Sequence, residues 1–277
     1  LDRVEHMTRA DLECVLGWAA DEGWNPGLDD SEAFLAADPE GFFLKRVGGA
    51  PAAAVSVVNH SDDYAFLGLY ICAPAFRGMG HGLDVWNAGL AHAGGRTVGL
   101  DGVPAQQQNY VRSGFVRAGR TIRYEGRVDG RDAANLRPMR ASDIPAILAL
   151  DAAQTGTRRD RYLSAWLTPT STRQGLVIER NGAIAACGTV RACRAGAKIG
   201  PFMAHRAGDA SDLMAGLARI IGRAQLFIDV PDSCHDFHDL LAGRGFAPVF
   251  ETARMYRGAA PATAYAPFHG VATLELG

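Results

Sequence analysis

Apolar positions along this 277-residue chain come in short runs, and the runs alternate between strand-like and helix-like spacing. Residues 66–72 form an apolar, strand-like run that reaches Pro74 and then a basic, glycine-dense loop. After the loop, Leu83, Trp86, Leu90 and Ala91 recur at helical spacing, so the order is strand, glycine loop, helix. Before this unit the pattern predicts a strand, a long helix and a second helix at 31–37, then strands at 41–47 and 52–58. After it come a strand at 98–103, a short helix and two last strands. Later in the chain the same order returns: a helix at 158–167, strands at 175–179 and 183–190, and a strand at 225–230. Mixed sheets with helices on both faces fit this order.

The recurrence is an internal duplication at an offset near 132. Met7-Thr-Arg-Ala-Asp11-Leu12 matches Met139-Arg-Ala-Ser-Asp143-Ile144, each with an Asp close to a helix start. Gly114-Phe115…Tyr124-Glu-Gly126 matches Gly245-Phe246…Tyr256-Arg-Gly258, and Leu100-Asp101-Gly-Val103-Pro104 echoes Ile228-Asp229-Val230-Pro231. Polar residues 127–135 separate the copies, which predicts domains at 1–130 and 131–277.

Arg77-Gly78-Met79-Gly80-His81-Gly82 carries the clearest chemistry. Alternate glycines let successive N–H groups converge on a bulky anion, and the following helix adds its unpaired N–H groups and dipole. No Gly-Lys-Ser/Thr is present, and the glycine order differs from a dinucleotide-binding fingerprint. The order Cys72-x-Pro74-x-x-Arg77-x-x-Gly80-x-Gly82 resembles the acyl-CoA pyrophosphate loop of the GNAT superfamily of N-acyltransferases. The element order matches in both copies. The resemblance implies an α/β fold of two tandem GNAT-like domains, each a mixed, mostly antiparallel sheet flanked by helices. Acetyl-CoA would be the co-substrate, bound by Arg77, Gly78, Met79, Gly80, His81, Gly82, Leu83 and Asn109, with the backbone of Tyr70, Ile71 and Cys72 pairing with the pantetheine arm.

In the same family the proton donor to the leaving thiolate is commonly a Tyr four residues before a Gly-Phe pair, and Tyr110-Val-Arg-Ser-Gly114-Phe115 has that form. Moving 77–82 forward by 132 lands on Asp209-Ala-Ser-Asp-Leu-Met214, which has no glycine and where Asp209 or Ser211 looks like a helix cap. Leu241 stands where Tyr110 would be. The second copy is therefore expected to be degenerate, a scaffold, a lid or an oligomer surface. The base stays open, because residues 65–72 contain no carboxylate. Asp101, His60 and a water chain are the candidates, and Asp101 has a structural alternative, capping the following turn or helix, because Asp229 recurs in the copy that lacks the loop. Trp24 and Asn25, in a Pro-Gly loop between the first two helices, are expected at the acceptor pocket, where Trp24 is either a wall or a hydrophobic plug.

The expected reaction is direct attack by the primary amine of a small molecule on acetyl-CoA in a ternary complex, with a CoA-binding sensor or structural module as the alternative. Net charge is −2 overall, which argues against nucleic-acid or membrane-surface partners. Residues 1–130 carry −6 and 131–277 carry +4, so acids such as Asp21, Glu22, Asp29, Asp30, Asp62 and Asp63 either attract a cationic amine or help the halves dock. Five scattered cysteines and the absence of a long apolar run predict a cytoplasmic protein with reduced thiols. Cys234 and His238 share a helical spacing but lack further ligands, so no metal is expected. Self-association into a homodimer stays open, as do the role of the tail from Tyr265 and an exchange of strands between the halves.

Overall fold

A computed structural model describes residues 3–222 and 224–277. The first half runs β1 (Arg3–His6), α1 (Arg9–Asp21), α2 (Asp30–Ala37), β2 (Phe42–Val47), β3 (Ala50–Asn59), β4 (Tyr64–Cys72), α3 (His81–Ala93), β5 (Thr97–Gly102), α4 (Gln107–Arg112) and β6 (Val116–Gly126). The second half repeats the order as β7 (Leu136–Pro138), α5 (Ile144–Thr155), α6 (Asp160–Leu167), β8 (Arg173–Arg180), β9 (Ala183–Ala192), β10 (Ala197–Ala204), α7 (Ala207–Ile221), β11 (Leu226–Pro231), α8 (His235–Ala242) and β12 (Ala247–Arg257). A short β13 (Phe268–Gly270) follows. Each half closes with one long strand where the sequence pattern suggested two.

The recurring Asp residues act at helix starts, as expected. Asp11 accepts the Thr8 N–H at 3.0 Å while Thr8 Oγ1 accepts the Asp11 N–H at 3.2 Å, a reciprocal cap for α1. Asp143 accepts the Arg140 N–H at 2.8 Å.

Among the described residues the strands join one sheet, twelve of them in the order β1-β2-β3-β4-β5-β12-β6-β11-β10-β9-β8-β7, with β13 paired to β10 off this path. The halves therefore exchange their last strands. β12 of the second half pairs antiparallel with β5 and β6 of the first, and β6 pairs antiparallel with β11 of the second. Alternate residues of β3 divide between two apolar clusters, Ala54 and Val58 on one side and Ala53, Val55 and Val57 on the other. On the first face α1, α2, α5 and α6 pack together across the halves, with Phe34 stacked on Trp166 at 6.1 Å. On the opposite face α3 and α4 cover the first half, and α7 and α8 cover the second.

Ion pairs also bridge the halves. Glu22 pairs with Arg77, but Asp21 reaches Arg194, Asp29 reaches Arg173, and Asp30 lies 3.3 Å from Arg191. The acid-rich first half thus meets the basic second half through buried and rim contacts. Four of the candidate pocket-mouth acids are already committed to guanidinium partners.

Candidate active site

The site forms where β4 and β5 part. Their parallel pairing runs only from Tyr64↔Thr97 to Leu67↔Leu100. Beyond it Leu69 takes φ +47°, a left-handed conformation costing a non-glycine residue about 1–2 kcal/mol. The register with β3 shifts at the same place, between Ala54↔Ile71 and Ser56↔Gly68. This bulge turns β4 away from β5. Among the described residues no strand pairs with Tyr70–Cys72 on the β5 side.

The glycine loop continues from this open edge. A 3₁₀ turn at Pro74–Phe76 leads to Gly78 and Gly80, with φ of +77° and +86° and open space around each. Backbone conformation rather than crowding demands glycine there. Gly82 is constrained by space instead, because a Cβ would lie 2.7 Å from Tyr70 Oη and 3.2 Å from Cys72 Sγ. Helix α3 begins at His81 without a side-chain cap, so its first N–H groups and dipole point into the loop. Arg77 spans the loop, donating from Nε to Cys72 O at 3.1 Å and pairing with Glu22. Met79 and Leu83 are exposed beside it.

A pocket at the parting strands is lined by Leu67–Tyr70 of β4, Leu100 and Asp101 of β5, Val103, Tyr110 of α4, and Trp24. Tyr110 is buried, stacked on Trp86 at 5.6 Å with planes 15° apart and edge-on to Phe115. Burial, helped by neighbouring Tyr70, pushes its phenol well above the usual value, so it is protonated at neutral pH. Asp101 gives both carboxylate oxygens to Arg254, at 2.9 and 2.7 Å. Both oxygens are thus held by a guanidinium, and Asp101 does not cap the turn or helix that follows β5. His60 lies away from the pocket, its Nε2 2.8 Å from Leu276 O, and burial and Arg159 pull its pKa down to about 3.

Trp24 is partly buried, and its carbonyl accepts from Arg123 Nη1 at 3.0 Å and Lys198 Nζ at 2.8 Å. Burial and Arg123 bring the Lys198 ammonium down to about 8. Asn25 is not among the pocket residues. Its amide donates to Ala195 O at 2.8 Å and accepts from Ala195 N–H at 3.1 Å, so it ties its loop to the β9–β10 turn. Asn109 is exposed on α4 and bonds to Gln106 and Arg112.

Arg123, Phe250, Thr252, Leu274 and Glu275 complete the pocket. They come from the exchanged strands β6 and β12 and from the tail, and no local sequence signal marks them.

The equivalent place in the second half is built differently. β10 and β11 also part, after Ile199↔Ile228, but β13 fills the opening, pairing Phe268–Gly270 with Phe202–Ala204. Two residues, 205–206, connect β10 to α7, against eight, 73–80, between β4 and α3. The helix consequently starts earlier than a fixed offset placed it. Arg206 is the N-cap and provides no side-chain cap, so neither Asp209 nor Ser211 caps the helix. Asp209 sits in the first turn and pairs with Arg180, and Ser211 donates to Ala207 O at 2.6 Å. Leu241 is fully buried. His238 contacts Tyr124 Oη and Pro231 O at 3.0 Å each, and Cys234 donates to Ala266 O at 3.7 Å. Among the described residues no cluster of three or more His, Cys, Asp or Glu could hold a metal. No helix among them is long and apolar enough to cross a membrane.

An opened parallel strand pair beside a glycine loop and an uncapped helix thus occurs in the first of two tandem copies of one α/β unit. Residues 147–266 match the acetyltransferase (GNAT) domain family. The holothin acyltransferase of Pseudoalteromonas sp. (strain SANK 73390) is 36% identical over 270 residues, covering 96% of this chain and 91% of that protein. The chain therefore belongs to the GNAT acyltransferase family, and it is an enzyme of acyl transfer. The crystal structure of a Pyrococcus horikoshii protein superposes with a TM-score of 0.83 at 20% identity, covering 100% of this chain and 96% of that one. A tandem GNAT protein from the clavulanic acid biosynthesis pathway superposes at 0.65 with 16% identity, covering 95% and 100%. The tandem mixed α/β fold is thus the fold read from the sequence. The family match covers most of the half without the glycine loop, whereas the holothin acyltransferase aligns along both halves.

Proposed function

We propose that the first half binds acetyl-CoA and that the chain transfers its acetyl group to a primary amine of a small molecule. The difference between the two notches carries this reading. The first is open at Tyr70–Cys72, faces the Gly78–Gly82 loop and holds Tyr110, whereas the second is filled by β13, has a shortened loop and presents Leu241. Residues 131–277 then act as scaffold, contributing β12 and the tail to a pocket they do not open themselves.

The residues present fit a CoA thioester. The N–H groups of the glycine loop and α3 suit the pyrophosphate, Arg77 adds charge, and the free edge of β4 suits the amide-bearing arm. When bound, the donor supplies an activated acyl carbon with a thiolate leaving group. Tyr110, protonated and fixed by Trp86, is the group that gives the sulfur its proton. Binding both reactants in one pocket contributes through orientation. Membership of the acyltransferase family supports a small-molecule acceptor.

Acetyl-CoA consumption across polyamines, amino acids, aminoglycosides and peptide lysines tests the reading. Turnover with a small amine is expected. Tight CoA binding without turnover on any acceptor would favour the sensor alternative.

A further inference from the structure

The tail leaves β13 and crosses from the second notch to the first. Val271 N–H donates to Asp229 O at 2.9 Å, Leu276 N–H donates to Thr273 Oγ1 at 2.9 Å, and Leu276 O meets His60 Nε2. Gly277 O accepts from Arg159. Between these anchors the backbone of Glu275 runs against Gly68, where a Cβ would fall 2.0 Å from Glu275 O. The Glu275 residue is 4% exposed and lines the pocket with Trp24, Tyr70, Asp101 and Tyr110.

Its Oε2 is buried without a hydrogen-bond partner. The nearby cations do not satisfy it. Arg123, Arg191 and Lys198 all feel its charge, but Arg123 donates to Asp229 and Trp24 O, and Lys198 donates to Trp24 O. Arg191 donates to Ala272 O and lies 3.3 Å from Asp30. A buried carboxylate oxygen left unpaired is costly unless a ligand supplies the donor. The other pocket carboxylate, Asp101, is fully committed to Arg254.

We propose that Glu275 is the group that binds the acceptor amine through Oε2 and removes its proton. This inference rests on the acyltransferase reading. The ammonium proton passes to the Glu275 carboxylate, and the freed nitrogen lone pair forms the N–C bond to the acyl carbon. The C–S bond breaks, the sulfur takes the Tyr110 proton, and one of the two protons left on the nitrogen passes to the Tyr110 phenolate, so that the amide keeps one N–H. Glu275 then releases its proton to water. A carboxylate that residues 65–72 do not contain is thereby supplied to the pocket by the tail.

The test compares wild type, Glu275→Gln and Glu275→Asp for thermal unfolding, acetyl-CoA affinity and the pH dependence of kcat/KM for an accepted amine. The expected result for Glu275→Gln is unchanged acetyl-CoA affinity, a loss of about 100-fold or more in kcat/KM, and disappearance of the acidic limb of the profile. Glu275→Asp should keep that limb at a reduced rate. Glu275→Gln turning over near the wild-type rate, or keeping the limb, would overturn the assignment and leave the acyltransferase reading intact. If Glu275→Gln does not fold, the aspartate variant and wild type decide: a shared acidic limb supports the assignment, and its absence from wild type overturns it. Wild type without turnover on any amine overturns both readings, a result distinct from either variant outcome.

Discussion

Asp101 on β5 holds Arg254 on β12 through two parallel hydrogen bonds of 2.9 and 2.7 Å, an ion pair between the two halves of the chain. Its counterpart is Asp229 on β11 with Arg123 on β6, at 2.7 and 2.9 Å. Because the last strands are exchanged, each half's aspartate is satisfied by the other half's arginine. Burial opposes the Arg254 charge, but the Asp101 carboxylate more than offsets it and raises the guanidinium pKa.

Breaking the first pair should therefore unfold the chain more readily. Arg254→Met leaves Asp101 buried without its partner and is expected to cost about 3–5 kcal/mol. The double variant with Asp101→Leu should recover much of that loss, since replacing both charges removes the uncompensated group. Urea unfolding of the two single variants and the double variant measures the coupling. A structural Asp101 further predicts that the folded fraction of Asp101→Asn keeps a rate well short of the ~100-fold loss expected on removing a catalytic base.

Tyr110→Phe should separate chemistry from packing. The ring stacks on Trp86 and sits against Gly102, where a Cβ would lie 2.9 Å from it, so phenylalanine preserves every ring contact. Only the hydroxyl is lost. Stability and acetyl-CoA affinity are expected to hold, while kcat falls about 100-fold or more. Isothermal titration alongside a thiol-release assay reads both quantities on one preparation. An unchanged kcat would remove Tyr110 from the reaction.

Gly68→Ala should disturb the tail rather than the loop. The added Cβ meets backbone, Glu275 O at 2.0 Å and its carbonyl carbon at 2.8 Å, and backbone cannot swing aside as a side chain can. A cost of about 1–3 kcal/mol is expected, together with faster amide exchange over residues 271–277. Acyl transfer should fall with the tail's displacement. Exchange measured by mass spectrometry locates the effect, and protection equal to wild type would contradict the packing.

How far these features were legible depends on whether they are local. The glycine loop follows from a contiguous pattern, the duplication from matches about 132 residues apart, and the strand-loop-helix order at 66–91 is the order found, whereas the open strand edge and the place of Tyr110 rest on the family resemblance. The exchange of β6 and β12 leaves no local trace, because an antiparallel strand has the same alternation whichever neighbour it meets. Arg123, Thr252 and Glu275 reach the pocket only through that exchange and the tail crossing. Asn25 misled because a polar residue in a Pro-Gly loop gives no sign whether its amide faces a ligand or a backbone turn. The tail forms a final strand of only three residues, which fills the second notch, and where it docks leaves no signal in so short a run.

His269 makes the tail's anchorage depend on acid. It lies on β13, 2% exposed, with Nδ1 2.8 Å from Gln154 Oε1 and its ring 4.4 Å from that of Tyr265. Burial chiefly, then the charges of Arg159 and Arg254, pulls its pKa from 6.5 down to about 3. The folded chain thus favours neutral imidazole. Below pH 6.5 the unfolded chain takes up a proton that the folded chain refuses, until the folded value near 3 is reached. This contribution to stability is fully present above 6.5 and falls by about 1.4 kcal/mol per pH unit below it. His269→Gln keeps a donor for Gln154 but cannot titrate, so its unfolding free energy should decline less steeply with acid by that slope. Urea unfolding between about pH 7 and pH 5, the range over which an unfolded histidine charges, compares the two proteins. Parallel curves would show that His269 does not control the acid response of the tail.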